Sequence, residues 1–314
     1  MKNKIQLFIQ KYSSLYTIIS IINKRIWLLK QPKLRKSLLD KEIADFSEQG
    51  IQKRIDGKQI IVSLTSFPAR INDVKYTIFS LMQQTIKPNK IILWLGEDKF
   101  KLREKDLPKD LLKLRENGLL IKFVKDIGSY TKLIPTLQQY PGSLIITVDD
   151  DIFYPKTLVE DLYTEYSNNP DCIVAHRVHR VRICDKKIAP YSDWDLAVKT
   201  VPSNPSYLNF LTGVGGVMYD STLLYKDVLR EDIFMRYCPK ADDIWFYVMA
   251  VLQGTKIKMV PKGAYKLFYV NPDKEISGED TLLSHNVREC GNDIQFRSLC
   301  ELYPDVLKRL LMFE

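Results

Sequence analysis

Short apolar runs separated by stretches of helical spacing set the rhythm of the first half of this chain. Ile60 to Leu64 (IIVSL), Lys90 to Leu95 (KIILWL), Leu119 to Val124 (LLIKFV) and Leu144 to Val148 (LIITV) are short and rich in branched side chains, which predicts buried strands. Between the first two, Asn72 to Gln84 carries Val74, Ile78, Leu81 and Met82 at helical spacing and is stopped by Lys87-Pro88-Asn89. A Lys-rich helix is expected before the third strand, and a helix over Leu133 to Gln139, opened by Gly128 to Lys132, before the fourth. Strand alternating with helix predicts an α/β fold: a mostly parallel, Rossmann-like sheet with helices on both faces. Right-handed crossovers gather the strand ends on one edge, where ligands bind. Thr65–Arg70, Glu97–Asp98, Asp126–Lys132 and Asp149–Asp151 are therefore expected to line one cleft.

The second half is less regular. Pro155 reads as the first position of a helix over PKTLVEDLYTEY, with Tyr154 as its cap. Ile173 to Val181 (IVAHRVHRV) reads as one strand with His176 and His179 near its middle, residues 185–209 as a long loop, and Leu211 to Tyr219 (LTGVGGVMY) as a Gly-rich strand or turn. Cys238 to Trp245 opens an amphipathic helix running to Gln253, Lys256 to Val260 is a further strand, and a terminal helix begins at Ile294.

Charge changes the picture at the amino terminus. Residues 1–39 hold nine of the 47 cations (Lys2, Lys4, Lys11, Lys24, Arg25, Lys30, Lys33, Arg35 and Lys36) and none of the 38 acids, so the rest of the chain is balanced. The apolar stretch inside this extension, Leu15 to Ile22, is too short to span a bilayer, which needs about 20 apolar residues. Basic residues interleaved with Leu, Ile, Phe and Trp predict an amphipathic helix that lies on an anionic membrane surface. A helix docked on the protein body is the plainer reading. The expected organisation is this extension, a connecting segment over residues 40–58, and one domain over 59–314 whose halves divide at residue 155. A nucleic-acid binder would carry its basic face within the fold, so no nucleic-acid partner is expected. Five scattered cysteines with no C-x-x-C pair and only three histidines argue for a reducing, cytoplasmic setting and against a disulfide framework or an imidazole-rich metal site.

The candidate chemistry begins where the fourth strand ends in Asp149, Asp150 and Asp151. Along a strand, Asp149 and Asp151 would face one way and Asp150 the other. Three adjacent carboxylates need a positive partner, and a hard divalent cation is the usual one.

IIVSLTSFPARI, SLMQQTIKPNKIILWL, the Asp triplet, GVGGVMY and KADDIW, in that order over about residues 59–262, resemble the nucleotide-sugar glycosyltransferases of the GT-A fold, in particular the bacterial family-two-like enzymes. The resemblance implies Mn²⁺ or Mg²⁺ on the D-x-D carboxylates, with Asp151 as direct ligand and Asp149 reaching the metal or the ribose. His285, after a polar loop, is a candidate further metal ligand, although a lone histidine is more often a surface or packed residue. It implies that Thr65, Phe67, Pro68, Arg70, Asp98, Asp149 and Asp150 bind the donor, and that Lys132 adds a cation to the diphosphate. A solvated surface lysine explains Lys132 equally well. Asp242 and Asp243 match the acidic pair of inverting members, with Asp243 as the base; Asp242 also reads as an N-cap of the following helix. Gly215, Gly216 and Trp245 are implied to line the sugar and acceptor.

The implied function is non-processive, inverting transfer of one sugar from a nucleoside-diphosphate sugar, a UDP-sugar foremost, to a cell-surface glycan acceptor that could be lipid-linked, at the inner face of a bacterial plasma membrane. Two features depart from or qualify the pattern. Leu95-Gly96-Glu97-Asp98 replaces the Asp-Asp-Gly found at the second strand end in many members, which leaves the base open. The Gln-x-x-Arg-Trp motif of processive synthases is absent. A non-catalytic sugar- or nucleotide-binding protein and a nucleotidyltransferase are the alternatives. The latter would be expected to carry a Gly-rich basic loop after the first strand, and Thr65–Arg70 contains no glycine.

Overall fold

The structure is a computed structural model, and it describes residues 36–53, 57–199, 204–261, 267–272 and 291–312. His285, most of the basic extension and Cys290 lie outside them. Among the described residues no helix is long and apolar enough to cross a membrane.

The apolar runs form a seven-stranded sheet. It contains β1 (Ile60–Ser66), β2 (Lys90–Gly96), β3 (Leu119–Val124), β4 (Leu144–Thr147), β5 (Cys172–Ala175), β10 (Val217–Asp220) and β11 (Lys256–Met259), in the spatial order β11-β5-β10-β4-β1-β2-β3. All strands are parallel except β10, which runs antiparallel between β4 and β5. Side chains alternate between two covered faces. Ile60, Val62 and Leu64 of β1 pack with helices α2 (Val74–Met82) and α5 (Leu158–Asn168). Ile61 joins Ile92 and Trp94 on the opposite face. On that same side further along, Ile145, Ile173, Val217 and Ile257 meet α4 (Ile134–Gln139) and α7 (Asp242–Gln253). Burial on both faces explains why β1, β2 and β4 read as continuous apolar runs; β3, expected to be buried, is a half-buried edge strand instead.

Strand order reverses between β1 and β4. A crevice at the carboxyl ends of two such strands is the expected ligand site of an open α/β sheet. The antiparallel β10 extends this edge, because its first residue, Val217, pairs with Thr147, the last residue of β4. The Gly-rich turn ahead of β10 is thereby brought beside the Asp triplet.

The second half departs from expectation where tertiary contacts override local pattern. Helix α5 begins at Leu158 with Thr157 as N-cap, not at Pro155 with Tyr154 as the cap. The chain from Ile152 to Tyr154 is held extended instead: Ile152 bridges Tyr269, Phe153 N–H donates to Phe268 O at 2.8 Å, and Tyr154 N–H donates to Ser80 Oγ at 3.0 Å. Ile173–Val181 is not one strand. After β5 the chain leaves the sheet at His176, and β6 (Val178–Arg180) pairs with β9 (Asn209–Leu211) in a separate two-stranded ribbon. The expected loop over 185–209 contains part of a small hairpin of β7 (Ile183–Cys184) and β8 (Lys187–Ile188). The Lys-rich helix is reduced to a short α3 (Lys109–Lys113) flanked by 3₁₀ turns, and the helix expected from Ile294 is α8 (Gly291–Leu302). Two further short helices are α6 (Glu231–Tyr237) and, after α8, α9 (Asp305–Leu311).

Helix α1 (Lys36–Asp45) belongs to the body. Lys36 pairs with Asp73 at 2.7 Å, Asp40 accepts from Tyr76 Oη at 2.9 Å, and Ile43 is buried. The boundary expected at residue 39 therefore falls inside a helix.

Gly216 links the turn to β10 with φ of +85°, and a Cβ there would sit 2.8 Å from Leu158 Cδ1. Both conformation and space require glycine. Gly216→Ala is expected to lower unfolding stability by about 2–3 kcal/mol, measured by urea denaturation; a loss below about 0.5 kcal/mol would contradict this account.

Candidate active site

The site is assembled around Lys132. A hydrogen-bonded core fixes its backbone: the Lys132 carbonyl accepts from Ser63 Oγ at 2.6 Å, Ser63 Oγ and Thr136 Oγ1 are 2.7 Å apart, and the Trp94 indole N–H faces both hydroxyls at 3.0 and 2.8 Å. All three side chains are buried. The ammonium then reaches Asp149 Oδ1 at 3.0 Å and Asp242 Oδ2 at 3.1 Å. The contact with Asp242 is ionic, without hydrogen-bond alignment. Burial alone would depress the ammonium's pKa, but Asp149, Asp242 and Asp243 outweigh it and hold the lysine charged, well above its ordinary value. Lys132 is thus a buried counterion that joins the triplet to the later acid pair, not a solvated surface lysine.

The triplet does not lie within a strand. β4 ends at Thr147, and the three aspartates occupy the turn that follows. Asp150 faces inward, accepting from Ser66 Oγ at 2.5 Å and Arg70 Nη1 at 2.8 Å, while Thr77 Oγ1 ties its carbonyl to α2 at 2.9 Å. Burial pushes the Asp150 carboxyl pKa up against the pull of Arg70 and Ser66. Arg70 Nη1 also stands 2.9 Å from Asp151 Oδ2, so one guanidinium spans two acids. The positive partner sought for the triplet is supplied in part by the protein itself.

Asp149 and Asp151 keep side chains 31% and 17% exposed, whereas Asp150 keeps 7%. Two carboxylates open to a cleft fit a Mg²⁺- or Mn²⁺-type ion that completes its oxygen shell with phosphate and water. Among the described residues no group of three acids, histidines or cysteines would hold an ion alone.

Asp242 and Asp243 open α7, whose N-cap is Ala241; Asp242 is the first helical residue and caps nothing. Asp243 accepts the Gly213 N–H on both oxygens, at 3.1 and 3.0 Å. A Cβ on Gly213 would meet Lys132 Nζ at 2.8 Å and Asp243 Oδ1 at 3.0 Å, so this glycine makes room for the charge cluster. The Asp243 residue keeps a solvent-accessible edge. Burial and the neighbouring Asp242 push its carboxyl up to about 7, against the pull of Lys132.

The expected donor residues share this edge. Thr65 Oγ1 donates to Trp94 O at 3.0 Å, and Phe67 and Pro68 are exposed on the turn after β1. The Phe67 ring is 40% exposed, with the Arg70 guanidinium 5.5 Å from its centroid. Asp98 is exposed beyond the end of β2.

Three expected acceptor residues are corrected. Trp245 is 0% exposed, donates its indole N–H to Val228 O at 3.0 Å and lies among Phe234 and Tyr303, so it is core and touches no cleft. Gly215 and Gly216 are buried; their missing side chains make room for Arg177 and Leu158, not for a sugar ring. His176 and His179 are buried as well, and His179 Nδ1 accepts from Ala197 N–H at 2.8 Å. Burial and nearby Arg177 hold His179 well below the ordinary histidine pKa, and therefore neutral.

Comparison with known proteins is sparing. No protein-family model and no curated protein matches the chain. Among solved structures it is similar to S. aureus TarS 1-349 (12% identity, 69% of this chain and 63% of that one, TM-score 0.39). It is also similar to the inositol-1-phosphate CTP transferase from T. maritima (12%, 72% and 99%, TM-score 0.38). A third is CMP:2-keto-3-deoxy-manno-octonic acid synthetase complexed with CTP (11%, 65% and 89%, TM-score 0.39). The chain thus spans less than two thirds of the first of these.

Removing the central cation strands its acids. Lys132→Met is expected to cost about 3–5 kcal/mol at pH 8. A carboxyl whose folded pKa is raised binds its proton more tightly folded than unfolded, so protonation favours the fold as pH falls below about 7. The deficit should therefore shrink between pH 8 and pH 5 in denaturant titrations; a deficit independent of pH would exclude Lys132 as the counterion.

Proposed function

We propose that this protein is a metal-dependent, inverting, non-processive glycosyltransferase that moves one sugar from a nucleoside-diphosphate sugar, a UDP-sugar foremost, to a hydroxyl of a cell-surface glycan, free or lipid-linked. The observation that carries the reading is the charge cluster at the carboxyl ends of β1 and β4, in which Lys132 lies between Asp149 of the triplet and Asp242, beside Asp243. One carboxylate group suits a leaving diphosphate and its cation. The other suits proton removal.

In this reading the exposed Phe67 ring stacks on the nucleobase, and Arg70 and Lys132 face the diphosphate. Asp149 and Asp151 hold the Mg²⁺ or Mn²⁺, which when bound stabilises negative charge growing on the leaving diphosphate. Asp243 accepts the proton of the acceptor hydroxyl as that oxygen bonds to the sugar's anomeric carbon and the bond from that carbon to the diphosphate oxygen breaks. The Gly213 N–H orients the carboxylate. A base poised near 7 combines availability with proton affinity at neutral pH. His285 as an additional ligand belongs to this proposal as well.

The basic extension supports peripheral attachment to an anionic membrane surface, near membrane-bound acceptors. Deleting residues 1–35, and so sparing α1, is expected to abolish cosedimentation with phosphatidylglycerol vesicles while nucleotide binding persists. Unchanged cosedimentation would rule the extension out as the anchor.

The direct test is a thermal-shift screen of nucleoside diphosphates with and without Mn²⁺. One nucleotide should raise the Tm only with the metal, and Asp151→Ala should lose that rise while remaining folded. Metal-independent stabilisation, or none with any nucleotide, would defeat the reading. With an active donor and acceptor, Asp243→Asn should reduce kcat by about 10²–10⁴ and leave nucleotide affinity intact. In the native enzyme kcat/KM should fall about tenfold per pH unit below about 7, because the base must be ionised. A flat profile from pH 5 to 8 would remove Asp243 from the chemistry.

A further inference from the structure

We propose that Arg177 is an anion receptor for the acceptor, which therefore carries a carboxylate or phosphate close to the hydroxyl that reacts. The inference rests on the glycosyl-transfer reading and names its acceptor class.

Arg177 lies in the link between β5 and β6, within electrostatic reach of Asp243 and Asp149. Its carbonyl accepts from Thr212 N–H and Oγ1, both at 3.1 Å, and Gly215 leaves space for its Cβ, which stands 2.6 Å from where a glycine Cβ would be. The backbone is thus fixed. The guanidinium is not saturated. Nη1 donates to Thr212 Oγ1 at 2.9 Å, and no carboxylate among the described residues stands at ion-pair distance from it.

The other two cations of the cleft differ. Arg70 spans Asp150 and Asp151, and Lys132 spans Asp149 and Asp242. Arg177 feels Asp243, Asp149 and the hydroxyls of Tyr191 and Tyr269 at longer range, and burial pulls its pKa below the usual arginine value. Arginine stays charged at such sites. A desolvated charge without a counterion is costly, and a bound anion removes that cost. Its planar fork of five N–H donors matches a carboxylate or a phosphate in two-point contact.

Topology places this fork on the acceptor side. The segments after β1 and β2, which carry Phe67, Arg70 and Asp98, flank the Asp triplet on one side. Arg177 follows β5, separated from β4 by β10 and its glycine turn on the other side. Asp243, held by Gly213 in that turn, lies between donor and Arg177 in this layout.

The test titrates the full-length protein, with and without UDP and Mn²⁺, using ligand-observed NMR and three probes: methyl β-glucuronide, glucose 6-phosphate and methyl β-glucoside. At least one anionic probe should bind about tenfold more tightly than the neutral one, and the better of the two identifies carboxylate or phosphate as the source. Arg177→Met should erase that preference and leave UDP affinity within about twofold, and Arg177→Lys should keep part of it. If the Met variant fails to fold, the Lys variant carries the comparison. Equal binding of all three probes by the native protein would overturn the proposal. So would a UDP affinity that falls about tenfold in Arg177→Met, since the arginine would then serve the donor. A native protein indifferent to UDP and Mn²⁺ that still shows the Arg177-dependent preference would sink the donor reading and uphold the anion site.

Discussion

The arrangement of the cleft depends on one buried ammonium. Lys132 is placed by Ser63, Thr136 and Trp94, none of which faces the cleft as a catalytic group, and it draws together Asp149 and Asp242, which are 93 positions apart in sequence. Without it, Asp149, Asp242 and Asp243 would repel one another at the edge of the sheet. A buried ion pair is weak support for stability by itself. Its value here is specificity of placement: it fixes α7 against the end of β4, so the two acid groups meet at a defined separation.

Sheet topology makes that meeting possible. A fully parallel continuation after β4 would start β10 at the far edge and carry the glycine turn away from the triplet. Because β10 is antiparallel, its start lies at the carboxyl end of β4, and Gly213 can offer its N–H to Asp243 while leaving space for Lys132. The tight turn and the buried lysine require each other: a side chain at Gly213 would take the volume the ammonium uses.

Much of the first half was legible because β1, β2 and β4 are buried on both faces; the edge strand β3 is only half-buried but keeps an apolar run. β1 to β4 start where their apolar runs start, and β3 matches its run from Leu119 to Val124. The edge on which Thr65–Arg70, Lys132 and the triplet converge followed from alternation and crossover handedness alone. The misreadings share one cause, which is that local pattern does not report a distant partner. Tyr154 looked like a cap because Pro155 follows it, but its N–H is taken by Ser80 and its hydroxyl accepts from Asp149 N–H. The resemblance implied that Trp245 lines the sugar and acceptor, yet it sits on the inward face of α7 in a run, DDIWFYVMAVLQ, that is apolar all round after the acids. That run was itself the signal of a fully buried helix. Arg177 and Arg180 lie in IVAHRVHRV beside His176 and His179; which of them lies toward the acid cluster was set by the end of β5 ahead of His176, which the sequence pattern does not mark.

Charge accounting ties the proposed chemistry to an order of binding. Five carboxylates (Asp149, Asp150, Asp151, Asp242 and Asp243) share the site with three cations, Arg70, Lys132 and Arg177. Even with Asp243 protonated, the acids outnumber the cations. A free diphosphate entering this field would meet net repulsion, and its phosphates would have to compete with Asp149 and Asp151 for Lys132 and Arg70. A divalent cation held as proposed on Asp149 and Asp151 would weaken both pairings, offset the acids and leave Arg70 and Lys132 free to turn toward phosphate. In the proposed reaction, metal and donor therefore bind as one unit. Burial, with Asp242 beside it, pushes the Asp243 carboxyl up to about 7, and in the proposed reaction a bound cation would lower it.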